Sequence, residues 1–123
     1  MVKSYQDLLV WQKAMDLVVI SYQLAEKLPA SEVYGLAGSI RRSSSSVPSY
    51  IADGFGRDQT NEYISRLSVA YGSLMALETH LLTTERLLFL TKPEIETALN
   101  NSAEVGKMLN GLMSSLKRSN RYP

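Results

Sequence analysis

A chain of 123 residues suits a single domain. Its 45% apolar content and only four prolines supply a core and argue against disorder, and the absence of cysteine excludes disulfides and thiol chemistry. Thirteen basic against twelve acidic residues leave a formal net charge of +1. That is too little for a general attraction to phosphate, so any such affinity has to come from the placement of the cations.

The N-terminal stretch MVKSYQDLLVWQKAMD interleaves charges with apolar residues. It lacks the continuous apolar segment and small-residue cleavage site of a secretory signal. No run of about 18 apolar residues is present, so no membrane span is expected. The expectation is a cytoplasmic protein.

The first predicted helix runs from about Ser4 to Leu28. Leu8, Trp11, Met15, Val18, Tyr22 and Ala25 recur at spacings of three and four, and Leu17, Ile20, Leu24 and Leu28 form a second stripe beside them. So broad an apolar face calls for more than one neighbour. Pro29 ends the segment.

The second predicted helix begins near Ser31 or Glu32 and reaches about Asp53, with Gly54 and Gly56 as its stop. Inside it lie Ser43 to Ser46 and then Pro48. Local propensity divides this segment into two shorter helices, because an interior proline costs about 3 kcal/mol. Ile40, Val47 and Ile51 carry an apolar face through the proline and favour one helix kinked near Pro48. Serine hydroxyls or water would then meet the carbonyl of Ser44, whose helical donor the proline removes.

The third predicted helix spans about Thr60 to Phe89. Ile64, Leu67, Tyr71, Leu74, Leu81 and Leu88 continue the three-four pattern, and Glu78 and Glu85 stand on the same stripe. The fourth opens on Thr91, Lys92, Pro93 and Glu94, a capping box with proline in the first turn. It continues through Ile95, Leu99, Ser102, Val105, Leu109, Leu112 and Leu116 to about Lys117. Short connections make successive helices antiparallel neighbours. The predicted fold is all-α, one antiparallel up-down-up-down four-helix bundle over residues 1–123.

No pattern in the chain encodes a reaction. A carboxylate-bridged metal site in a bundle needs paired Glu-x-x-His motifs, and there is one histidine, His80. A hydrolytic triad would need that same histidine. No phosphate-binding Gly-x-x-x-x-Gly-Lys loop occurs, and Gly54-Phe55-Gly56-Arg57 follows a helix rather than a strand. No catalytic residue, metal ligand or cofactor is therefore expected. Glu78, facing the core, is expected to form a structural ion pair with Arg41 or Arg42.

Several strings together resemble a known signature. They are Glu32-Val33-Tyr34-Gly35-Leu36, Ile40-Arg41-Arg42, Val47-Pro48-Ser49 and Ile51-Ala52-Asp53-Gly54-Phe55-Gly56-Arg57. Trp11-Gln12-Lys13-Ala14-Met15, Ala70-Tyr71-Gly72-Ser73-Leu74 and Leu77-Glu78 fit the same pattern. These residues resemble the four-helix proteins encoded by intervening sequences in bacterial 23S rRNA genes, which are similar to the accessory variability protein of diversity-generating retroelements. The chain departs from that pattern at Ser39, at Ser43 to Ser45, at Tyr50 and at Asp53.

The resemblance implies self-association as a homopentamer and a partnership with RNA or DNA. A ring would repeat each cation, and the residues expected to meet nucleic acid are Arg41, Arg42, Arg57, Lys117, Arg118 and Arg121. The alternative is a protein-interaction scaffold that docks a protein partner without nucleic acid. The broad first helix and Tyr5, Tyr34, Tyr50, Tyr63 and Tyr71 add apolar surface that one small bundle is not expected to cover.

Overall fold

The computed structural model of the chain describes residues 2–120. The chain starts with a small capping box rather than with the long helix. The Ser4 hydroxyl accepts from the Gln6 N–H at 3.1 Å, and the Asp7 carboxylate accepts from the N–H groups of Lys3 and Ser4. This closes a 3-10 turn at Tyr5–Asp7; Leu8 is extended, and α1 then runs Leu9–Glu26. The predicted first helix is thus divided at Leu8.

Pro29 ends the first hairpin arm as expected. A second 3-10 turn, Ala30–Glu32, follows, and α2 covers Leu36–Phe55. Its start lies later than predicted because the Glu32 carboxylate stays outside the helix and accepts from the Leu36 N–H at 3.1 Å. α2 is continuous through Pro48, which is buried. The neighbouring serines bond back along the helix: Ser43 to the carbonyls of Ser39 and Ile40, Ser44 and Ser45 to that of Arg41, Ser46 to that of Arg42, and Ser49 to that of Ser45. None of these bonds reaches the Ser44 carbonyl. The serine run keeps its own hydroxyls satisfied in a tightly packed helix; it does not repair the proline break.

Gly54 lies inside α2 rather than ending it, and Gly56 is the C-cap. A Cβ on Gly54 would stand 2.9 Å from Tyr63 Cδ1 and 3.1 Å from both the Tyr63 carbonyl and Arg66 Cβ. The glycine therefore permits the close approach of α2 to α3, which runs Thr60–Arg86. At the end of α3, the Leu88 and Phe89 N–H groups bond to the carbonyls of Glu85 and Thr84. That is the double closure of a Schellman motif, with Leu88 in the left-handed position at φ 64°.

α4 occupies Lys92–Asn120 and opens on the expected capping box. Glu94 accepts from the Thr91 N–H at 2.8 Å, and its own N–H reaches the Thr91 hydroxyl. These hydrogen bonds, with Lys27 beside them, hold the Glu94 carboxyl below its ordinary pKa.

The pairings fix an antiparallel bundle. Lys13 meets Glu104 at 3.1 Å and Lys27 meets Glu94 at 3.4 Å, which sets α1 against α4. Tyr22 meets Ser45 across α1 and α2, and Arg66 meets Asp53 at 2.9 Å across α3 and α2. α3 and α4 pair where Ser102 donates to Glu78. Each helix packs on two neighbours, so the α1/α2 and α3/α4 edges lie opposite one another. The described residues form four α-helices and no strand.

Leu17, Ile40, Val47, Ile51, Leu67, Leu74, Leu77, Leu81, Ile95, Val105 and Leu109 are fully buried at the centre. In α1 the core face is Val10, Ala14, Leu17, Ser21, Leu24 and Ala25. Of the two predicted stripes, the one through Leu17 and Leu24 faces inward. The one through Trp11, Met15, Val18 and Tyr22 lies on the helix flank, with only Ala25 buried among its members in α1.

Candidate interaction surfaces

The expected pairing of Glu78 with Arg41 or Arg42 does not form. Glu78 turns toward α4 and accepts from the fully buried Ser102 hydroxyl. Arg41 lies over the Tyr22 ring, 5.8 Å from its centroid. Arg42 reaches the Ser39 hydroxyl and stands close enough to His80 to act on its titration. Burial first, and the Arg42 charge second, lower the His80 pKa from 6.5. The reason is geometric. Glu78 occupies the flank of α3 that faces α4, whereas the arginines are on α2.

Of the six cations expected to meet nucleic acid, the five described ones are not gathered in one protomer. Arg41 and Arg42 lie in the first half of α2, and Arg57 follows its C-terminus, about 24 Å further along at helical rise. Arg57 is also neutralised: it bonds to Asp53 at 2.9 Å and approaches Glu62 at 3.7 Å. Lys117 and Arg118 are exposed in the last turns of α4, at the same end of the bundle as Arg57. Arg121 lies outside the described residues.

One departure from a closed bundle is apolar. On α1, Met15, Val19 and Tyr22 are exposed and Trp11 and Val18 half-buried, in one strip along the α1/α2 edge. α2 meets this strip at Tyr22 through Arg41 and Ser45, and Pro48 and Ala52 continue the same helix face at three-four spacing, mostly short side chains. Toward the end of the bundle that carries the α1–α2 connection, the strip runs into a pocket of about 300 Å³. Ala25, Pro29, Val33 and Ala37 line it, together with Glu26 and Arg41.

At the same end, on the opposite edge, the α3–α4 turn presents Leu87 and Leu88, the latter 89% exposed. The three-four pattern placed Leu88 on the core stripe. The α-helix stops at Arg86, so the periodicity no longer applies there. The absence of glycine after Arg86 is the sequence signal that marks this turn as unusual. Tyr34 is likewise exposed, in the α1–α2 connection.

Among the described residues no group of three or more histidines, aspartates or glutamates is placed to hold a metal, and no helix is long and apolar enough to cross a membrane.

The architecture defines a four-helix bundle protein, with its unusual features on the outside of the bundle rather than in a central site. The family described as 23S rRNA-intervening sequence protein matches residues 6–111, and the chain belongs to that family. Among solved structures it is similar to a protein of unknown function from the S23 ribosomal protein family of Bacteroides thetaiotaomicron VPI-5482. The TM-score is 0.80 at 22% identity, over 85% of this chain and 98% of that one. A comparison with curated proteins gave no match.

Proposed function

We propose that this chain is a non-catalytic, cytoplasmic binding protein that acts as a homo-oligomer. The observation that carries the reading is the apolar strip of exposed Met15, Val19 and Tyr22, flanked by half-buried Trp11 and Val18, along the α1/α2 edge. A monomer has no use for such a strip in water, and contiguous exposed apolar surface is characteristic of an interface. The flank position of these residues supports the same reading. They are spaced to bury a helix face, yet the bundle buries the adjacent face instead.

A nucleic-acid role for the assembly is the finer part of the proposal. It is supported by Arg41 and Arg42, which have no carboxylate partner among the described residues, and by Lys117 and Arg118, which are likewise unpaired. Arg57, with two acidic neighbours, contributes least. A cyclic assembly would repeat each cation around its axis, and a family association with the 23S rRNA gene makes RNA the first ligand to try. The resemblance to the retroelement protein suggests five subunits. Val19→Glu should disperse the oligomer. Titration with structured RNA at two salt concentrations should give a steep salt slope for the wild-type assembly and a shallow one for the dispersed chain. An oligomer with no salt-sensitive affinity would favour a protein-interaction scaffold.

A further inference from the structure

Leu88 combines two unfavourable features. Its backbone is left-handed at φ 64°, where a Cβ crowds the following carbonyl, and its side chain is 89% exposed. Glycine would close the same turn without crowding. The fold thus holds an apolar side chain out from the α3–α4 edge, with Leu87 beside it, also exposed; the turn's hydrogen bonds would form equally with glycine, and no burial of the Leu88 side chain within the chain repays the strain.

The opposite edge of the same end carries the pocket lined by Ala25, Pro29, Val33 and Ala37. Its volume of about 300 Å³ accommodates a leucine, whose removal from a core leaves a cavity on the order of 150 Å³. Charge is compatible with shape. Exposed Glu26 lines the pocket, whose cation Arg41 is engaged on the Tyr22 ring, and exposed Arg86 immediately precedes the leucine pair. Among the described residues neither has an ion-pair partner.

We infer that the Leu87–Leu88 turn of one protomer seats in the α1/α2 pocket of a second copy, with Arg86 of the first facing Glu26 of the second. Projection and pocket lie at the same end of the bundle on opposite edges. The contact is therefore heterologous, each protomer giving its turn to one neighbour and its pocket to the other. It adjoins the apolar strip, so one neighbour would cover both. The inference rests on the self-assembly reading and assigns that assembly its contact.

The test compares sedimentation-velocity concentration series for the wild type, Leu88→Gly, Ala30→Trp at the exposed pocket wall, and the Glu26→Arg and Arg86→Glu charge reversals. Leu88→Gly is the informative variant because it relieves strain. It should raise the thermal midpoint at dilutions where the chain is monomeric, while weakening association by about 10- to 100-fold, the range for losing one buried leucine. Each charge reversal should weaken association, and the two reversals in one chain should restore it. An equal mixture of Leu88→Gly and Ala30→Trp chains retains one working contact, and should give dimers that neither variant forms alone. A wild-type oligomer whose affinity Leu88→Gly leaves unchanged overturns this contact and spares the self-assembly reading. A monomeric wild type overturns both and leaves the turn and pocket to a different protein.

Discussion

At Glu78 a single side chain separates two accounts of the third helix. A carboxylate on an apolar stripe calls for a cation, and two arginines stand in the preceding predicted helix. The structure answers it instead with the hydroxyl of Ser102, itself fully buried. A hydrogen bond to a charged group contributes about 1.5–3 kcal/mol, and truncating Glu78 would leave the Ser102 hydroxyl unsatisfied. A double-mutant cycle by urea unfolding should therefore show coupling between Glu78→Ala and Ser102→Ala of about 1 kcal/mol or more. Glu78→Ala with Arg41→Ala should be additive. Coupling to the arginine and not to the serine would restore the ion pair. His80 gives a second prediction at this scale. Its folded pKa is lowered below 6.5 by burial and by Arg42, so the unfolded chain takes up the proton first as pH falls. The stability His80 contributes is complete above about pH 6.5 and is lost as pH falls below it toward the folded value. His80→Gln should flatten that part of the pH profile in thermal melts, and an unchanged profile would assign the pH dependence elsewhere.

Among the elements, α2 shows most clearly where local rules yield to packing. Proline and a serine run both weaken a helix, yet the segment is continuous because Ile40, Val47 and Ile51 are fully buried across it. Gly54 follows the same logic. By sequence it is a stop signal, but in the bundle it is the contact that lets α2 lie against Tyr63 and Arg66 of α3. Gly54→Ala improves helix propensity by about 1 kcal/mol, whereas overpacking costs about 1–3 kcal/mol. Because part of the obstruction is the Tyr63 backbone, the sum should be destabilising, and a raised thermal midpoint would show that the helices separate freely. The α3 terminus is predicted to respond in the other direction. In dilute monomer, Leu88→Gly should stabilise the fold by about 1 kcal/mol, a shift of about 4 °C, because the left-handed position then carries no Cβ.

For the molecule as a whole, helix number, order and the capping box of Thr91 and Glu94 were legible in the sequence, since each depends on local periodicity or a local hydrogen bond. Surface organisation was not. Three-four spacing marks two stripes on α1 but does not say which one the neighbours cover, and the answer places Trp11, Met15, Val18 and Tyr22 at the edge. Nor does spacing say which flank of α3 meets which helix, so the partner of Glu78 was hidden. The basic residues were visible as types, and Asp53 stands four residues before Arg57, but the continuation of α2 that brings those two together and the approach of Glu62 from α3 are three-dimensional facts.

These features converge on one claim, that the monomer is an incomplete object. The most direct test is its mass in solution at micromolar concentration, by light scattering on a size-exclusion column. The account predicts a closed oligomer several times the 13.7 kDa chain, dispersed by Val19→Glu with the helical circular-dichroism signal retained. A wild-type mass of one chain under those conditions would contradict it.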